Sequence, residues 1–335
     1  MPIECRETMG RVRTNLLAIS TILCAAWLAG CGRYEMPLRI GINPRPGNEF
    51  LFLAQEKGFF AAQGVDVRLI EYSSLGDVRR AFDRGQLDGM TGTVVELLQS
   101  RDATPRAPRA FMVTDISNGS DMILAHGSIA SVSELAGKRV AAEPESVGMF
   151  MLARALARQG MPFSAVAVVA TDQTDMAKNL DSGWVDAAVT YPPVSFEIMQ
   201  IPATRTVFSS ADIPGEVVDV VALAADVLER RVDDAARIVR AWDQSLAYAA
   251  EHPDEARELM ASRERISVED FGAALAGIKL LSAGEQRPLF EPGGPLARAI
   301  GASAGTLREA AQIRSGSAGT ECLAPEPLAR ASVRG

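Results

Sequence analysis

The sequence predicts an α/β protein folded as two lobes, with mainly parallel sheets flanked by helices. Three observations carry this. Short strand-like runs alternate with helical runs from about residue 37 to residue 223, the pattern of parallel sheets covered by helices. The alternation is interrupted twice, near 110–121 and 205–219, as a chain does where it crosses into a second lobe and returns. From Ala225 the pattern turns helical, with Val232, Ala235, Ala236, Val239, Trp242 and Leu246 at helical spacing. The first lobe is therefore expected over 37–115 and 219–300, and the second over 116–218. A flexible tail is expected over 301–335, where Gly, Ser, Ala and Pro accumulate. No long-range repeat is read.

The elements run in order along the chain. Residues 36–42 open the body as a strand, and the turn-rich loop Asn43-Pro44-Arg45-Pro46-Gly47-Asn48 comes next. A helix over 49–57 buries Phe50, Leu51, Leu53 and Ala54, and Gly58 ends it. Residues 65–70 alternate as a strand. Ser73 and Ser74 then lead into a helix over 78–84, closed by Gly85. A strand over 87–90 precedes a turn at Thr91-Gly92-Thr93 and a helix through Gln99. After the breaker at 105–109, residues 110–114 leave the lobe and 122–125 resume as a strand. The second unit reads as strand 138–142, helix 146–158, strand 166–170, helix 175–180 and strand 185–190, then Tyr191-Pro192-Pro193. A strand over 217–223 carries the chain back.

The N-terminus is unlike the rest. Arg6, Arg11 and Arg13 precede an apolar run over 16–28, too short for an ordinary membrane span but suited to an export signal. Leu28-Ala29-Gly30-Cys31 comes next and resembles the bacterial lipobox, in which the cysteine is acylated and becomes the first residue of the mature chain. A signal peptide is thus expected over 1–30, with lipidation at Cys31 and a linker over 31–36. A start at Met9 would make the signal more compact. Cys5 and Cys24 would leave with the signal, and Cys322 would remain in the tail, so no disulfide framework is available.

Composition excludes several classes. The 335 residues are 47% apolar and carry a formal charge of -8, with no basic stripe of the kind nucleic acid needs. The lysines are Lys57, Lys138, Lys178 and Lys279, and the histidines are His126 and His252. No Ser-His-Asp set or metal spacing is visible, so neither a catalytic apparatus nor a cofactor is expected.

The run Ala54-Gln55-Glu56-Lys57-Gly58-Phe59-Phe60, continued by Gly64-Val65-Asp66-Val67, resembles a signature of the periplasmic solute-binding proteins of ABC importers. The branch is the one that holds aliphatic sulfonate-, taurine-, nitrate- and thiamine-pyrimidine-binding proteins. The loop at Asn43, the run from Arg79 to Gly89, Leu135-Ala136-Gly137-Lys138-Arg139-Val140 and Gly183-Trp184-Val185-Asp186-Ala187-Ala188-Val189 match further motifs of that branch in order. The resemblance spans about residues 37–290 and implies the two-lobed periplasmic-binding-protein fold with two linking strands. It also implies a small-molecule ligand in the cleft, an ABC permease of the inner membrane as partner, and a monomeric receptor held on the bilayer through acylated Cys31. Where relatives carry aromatics in the first loop, this chain has Arg45 and Asn48, which argues against a stacked ring ligand.

The candidate ligand residues are Asn43, Arg45, Asn48, Ser73, Ser74, Gly92, Thr93, Asp115, Ser146, Val147, Gly148 and Tyr191. Arg45 offers a forked cationic donor beside a helix N-terminus, or is a solvated loop arginine. Ser73 and Ser74 serve a ligand oxygen or cap the next helix. Gly92 would admit a ligand close to the backbone, or simply make a turn. Ser146 opens the helix whose equivalent in relatives supplies a hydroxyl and free N–H groups to the ligand, and it is also an ordinary N-cap. Asp115 and Asp219 stand at the two crossings, where each could take an amine or hold hinge backbone. Tyr191 could close the cleft or pack in the core. Arg45 and two helix N-termini argue for a small anion, while Asp115 and Glu145 argue for an amine or a zwitterion; the balance tips to an organic anion such as a sulfonate. The alternatives to an importer receptor are a periplasmic sensor feeding a signalling partner and an enzyme resembling the thiamine-pyrimidine synthases. The latter needs a lysine and histidine-rich site that the sequence does not offer.

Overall fold

The computed structural model describes residues 36–314 and 319–332. The expected signal and Cys31 lie outside the described residues. The folded body begins at Leu38.

Four strands come first: β1 (Leu38–Ile42), β2 (Val67–Glu71), β3 (Gly89–Thr93) and β4 (Arg109–Ser117). Five more form the second lobe: β5 (Met122–Ala125), β6 (Arg139–Ala142), β7 (Ala167–Ala170), β8 (Ala187–Thr190) and β9 (Arg205–Ser209). The chain returns in β10 (Val218–Leu223) and β11 (Ile278–Leu280). The first sheet has the order β11-β4-β10-β3-β1-β2, and the second β7-β6-β8-β5-β9. The chain crosses between the sheets after Ser117 and after Ser209, so each crossing is shorter than the sequence suggests.

The two-lobed α/β architecture stands, but the sheets are mixed, not mainly parallel. β1 runs parallel to β2 and β3, and β6 parallel to β7 and β8. β10 is antiparallel to β3 and β4, β11 to β4, and β5 to β8 and β9. The crossing is the cause. β4 leaves the first lobe along the path by which β10 re-enters, so the two must run opposite. Thr91, Gly92 and Thr93 also belong to β3 and do not form the expected turn.

A short repeat, not read in the sequence, locks both sheets. Arg39 donates its backbone N–H and Nε to Asp88 Oδ2 at 2.9 and 3.0 Å and Nη2 to Oδ1 at 2.9 Å. Arg139 does the same to Asp186, at 2.8, 3.2 and 3.2 Å. Each aspartate lies three residues after a helix-ending glycine in the left-handed region, Gly85 (φ 75°) and Gly183 (φ 70°).

The helical run after Ala225 covers the first sheet. In the helix Val232–Glu251, Ala235, Ile238, Val239 and Trp242 form the buried face. The Trp242 ring packs on Phe50 at 5.8 Å, and its indole N–H donates to Leu281 O at 2.9 Å. The expected tail is corrected. The helix Pro295–Glu309 buries Leu296, Ile300, Ala304 and Leu307. Further on, Ala324 N–H donates to Ala110 O at 2.8 Å, Arg109 donates to Leu323 O, and Cys322 is buried. The helix Glu326–Ala331 sets Leu328 into the core. Among the described residues no helix is long and apolar enough to cross a membrane.

Candidate functional site

Parallel strands point their C-terminal ends the same way, and loops there form a natural crevice. In the first lobe these are the loops after β1 and β2 and the helix start after β3. In the second lobe they are Glu143 after β6 and Tyr191 after β8. The two sets meet face to face, and the lobes are closed on one another.

Arg45 is the centre of the contact. It is 3% exposed. Its Nη1 and Nη2 donate to the two carboxylate oxygens of Asp121, each at 3.2 Å, and Nη2 also donates to Asp219 Oδ2 at 2.9 Å. The guanidinium carbon lies 4.6 Å from the Tyr191 ring centroid. Burial opposes the charge on Arg45, but Asp121, Asp219 and Asp115 outweigh it and hold the proton more firmly than usual. Asp115 and Asp219 are register partners across β4 and β10. Like charges placed opposite in a sheet repel, and Arg45 is the compensating charge. Burial nevertheless pushes the Asp219 carboxyl up, and that of Asp115 up to about 6, against the pull of Arg45. Asp115 Oδ1 is buried and has no hydrogen-bond partner among the described residues.

A second acidic pair lies beyond Tyr191. Glu96, fully buried, closes a capping box with Thr93: its Oε2 accepts the Thr93 N–H at 2.8 Å and the Thr93 hydroxyl at 2.5 Å. Its Oε1 accepts the Val147 N–H of the other lobe at 2.7 Å. Glu143, also fully buried, accepts the hydroxyl of Ser74 across the cleft, while its Oε2 has no partner among the described residues. Burial raises the Glu143 carboxyl to about 7, and the nearby Glu96 adds to the rise. At the rim Arg79 of the first lobe pairs with Glu145 of the second, whose backbone is held at φ 55°.

Two glycines let the carboxylates in. A Cβ on Gly47 would lie 1.9 Å from Asp115 Oδ2, and one on Gly76 2.5 Å from Glu143 Oε1. The crossings are tied too. The hydroxyls of Ser117 and Ser210 lie 2.8 Å apart, and Ser210 N–H donates to Asp121 O at 2.8 Å.

The structure brings most of the sequence-predicted residues together. Asn43 Nδ2 reaches the Tyr191 hydroxyl at 3.5 Å, and the same hydroxyl accepts the Leu75 N–H at 3.4 Å. Asn48 donates to Asn43 O at 3.1 Å and to Thr91 Oγ1 at 3.4 Å. Ser74, Thr93 and Ser146 are all N-caps, accepting from Asp77, Val95 and Gly148 N–H respectively. Gly92 leaves room for Glu96, whose Cβ would lie 3.2 Å from an added methyl. Ser73 is exposed and outside the cluster. Arg45 is not the free anion donor that the sequence suggests, because both terminal nitrogens are engaged by carboxylates. Sequence reasoning missed Glu96, Asp121 and Glu143. Glu96 had a signal, since Thr93-Val94-Val95-Glu96 is a capping box.

Among the described residues no three His, Cys, Asp or Glu are arranged to hold a metal ion.

Comparison with known proteins agrees with this architecture. A family model described as NMT1/THI5 like matches residues 46–256. A Brucella abortus protein named only as a binding protein is 26% identical over 182 residues, which is 53% of this chain and 55% of that protein. The chain thus spans about half the length of the curated relatives it matches. The alkanesulfonate-binding protein SsuA of Xanthomonas axonopodis pv. citri, solved bound to MOPS, has the same fold. It is 14% identical with a TM-score of 0.71, covering 87% of this chain and 98% of its own. The desulfurization enzyme DSZB also shares the fold, at 19% identity and a TM-score of 0.62, with 89% of this chain and 99% of its own covered. At such identities the likeness concerns the fold alone.

Proposed function

Because the chain belongs to the NMT1/THI5-like family, we propose that it is the solute receptor of an ABC importer, held on the periplasmic face of the cell envelope through acylated Cys31. Solute enters an open cleft, touches both lobes and stabilises the closed form by its differential affinity. The closed form then docks on a membrane permease.

The observation that carries this reading is that residues expected to meet a solute take part in the bonds that join the lobes. Ser74 with Glu143, Glu96 with Val147, and Asn43 with Tyr191 each pair one lobe with the other. A solute lodged among them must alter closure, which is how a hinged receptor signals occupancy. The cluster consists of carboxylates, hydroxyls, amides and one ion-paired arginine, groups that recognise a solute and hold it.

Two experiments test the reading. Small-angle scattering of the protein with metabolite fractions should show a solute-dependent fall in radius of gyration; a radius indifferent to every fraction contradicts hinge closure. Metabolic labelling with radioactive palmitate should mark the wild type and spare Cys31→Ser; equal labelling of both would exclude Cys31 as the anchor.

A further inference from the structure

We propose that the solute is an organic cation bearing N–H donors, seated between the carboxylate of Asp115 in β4 of the first lobe and the carboxylate of Glu143 in the second lobe. This rests on the receptor reading and gives it a ligand class.

Two places that the sequence marks for an anion are filled. Both terminal nitrogens of Arg45 are held by Asp121 and Asp219. The N–H of Val147, first residue of the helix Val147–Arg158, is taken by the Glu96 carboxylate. That carboxylate sits where the helix dipole favours negative charge. It is fixed there by its capping box with Thr93.

Two buried acceptors, by contrast, lack a donor among the described residues. Asp115 is 2% exposed and Glu143 0%, yet Asp115 Oδ1 and Glu143 Oε2 have no hydrogen-bond partner among the described residues. A buried acceptor without a donor is costly, and such groups call for an explanation. The charge balance points the same way. One guanidinium faces Asp115, Asp121 and Asp219, and Glu96 and Glu143 lie beyond Tyr191. Burial already draws protons onto Asp115, Asp219 and Glu143; a cation would displace them and take over their compensating role, whereas an anion would have to compete with carboxylates for Arg45. A donor-bearing cation also supplies the hydrogen bonds that the two free oxygens lack, and bonds to charged groups are the strong ones. Gly47 and Gly76 carry no Cβ where the two carboxylates approach, so these acidic groups lie directly against the backbone of the first lobe.

The test is titration calorimetry and thermal unfolding of the full chain in detergent. The probes are putrescine and agmatine as cations, 1,4-butanediol as the neutral counterpart of putrescine, and methanesulfonate and nitrate as anions. At least one cation should bind and raise the melting temperature, 1,4-butanediol should bind at least tenfold more weakly, and the anions should have no effect. Asp115→Asn and Glu143→Gln should each weaken the cation at least tenfold, while Ser73→Ala on the exposed edge should not. The neutral counterpart reports on charge in the wild type should either carboxamide variant fail to fold. Stabilisation by an anion alone overturns the cation class and leaves the receptor standing. Binding of putrescine and butanediol with equal strength also overturns it. No response to any probe or to a cell metabolite extract overturns the receptor reading itself.

Discussion

Glu96 of the first lobe accepts the backbone N–H of Val147 in the second at 2.7 Å, so a carboxylate of one lobe completes the start of a helix in the other. The bond couples lobe closure to the ionisation of buried acids, and Glu143 is the member of this group from which a pH dependence arises most directly.

Burial lifts the Glu143 carboxyl from its ordinary value to about 7, with Ser74 and Arg80 opposing and Glu96 and Asp77 reinforcing the rise. The closed form therefore holds a proton that the unfolded chain releases near pH 4.5. Its stabilising effect is complete below that value and fades as pH climbs toward 7. The melting temperature should fall across this window, by an amount corresponding to at most about 3 kcal/mol from this group. Glu143→Gln should flatten the fall when unfolding is followed by circular dichroism from pH 4.5 to 8. An unchanged slope in the variant would remove Glu143 from the account.

Gly47→Ala should destabilise the protein by about 1–3 kcal/mol, the usual cost of overpacking a filled interior. The added methyl would stand 1.9 Å from Asp115 Oδ2, and Asp115 is buried with little room to retreat. Gly301→Ala is the matched control. It lies in the helix Pro295–Glu309 with nothing within 4 Å, and should be neutral or stabilising by up to about 1 kcal/mol. Urea unfolding of the pair measures both.

Leu328→Ala should cost about 2–5 kcal/mol, as for other fully buried leucines. Leu328 is 1% exposed, in a helix that packs on Val232–Glu251. A loss below about 0.5 kcal/mol would return the C-terminal segment to the status of a loose tail.

How much of this was legible in the sequence depends on range. Strand–helix alternation is local, so the two lobes and the return at β10 could be read from it. The serines at strand-to-helix turns were legible for the same reason, and Ser74 and Ser146 are N-caps as that position suggests. The partners of Arg45 were not legible: Asp121 and Asp219 lie 76 and 174 residues away, and nothing near Arg45 marks them. Glu143 carries no local signal, since its burial is created by the opposite lobe. The C-terminal segment misled because composition records flexibility in isolation, while Cys322, Leu323 and Leu328 are ordered by contacts with β4 and the helix Val232–Glu251.

The central claim is that the two lobes hinge on a solute. It is tested most directly by the distance between spin labels at Ser73→Cys and Asp172→Cys, both at exposed positions, one on each lobe beside the mouth of the cleft. Pulsed electron spin resonance should give a distribution that shortens and narrows when a binding solute is added. Gly76→Ala, whose methyl would stand 2.5 Å from Glu143 Oε1, should shift it to longer distances without solute. One fixed distance, unmoved by solute and by Gly76→Ala, would contradict the account.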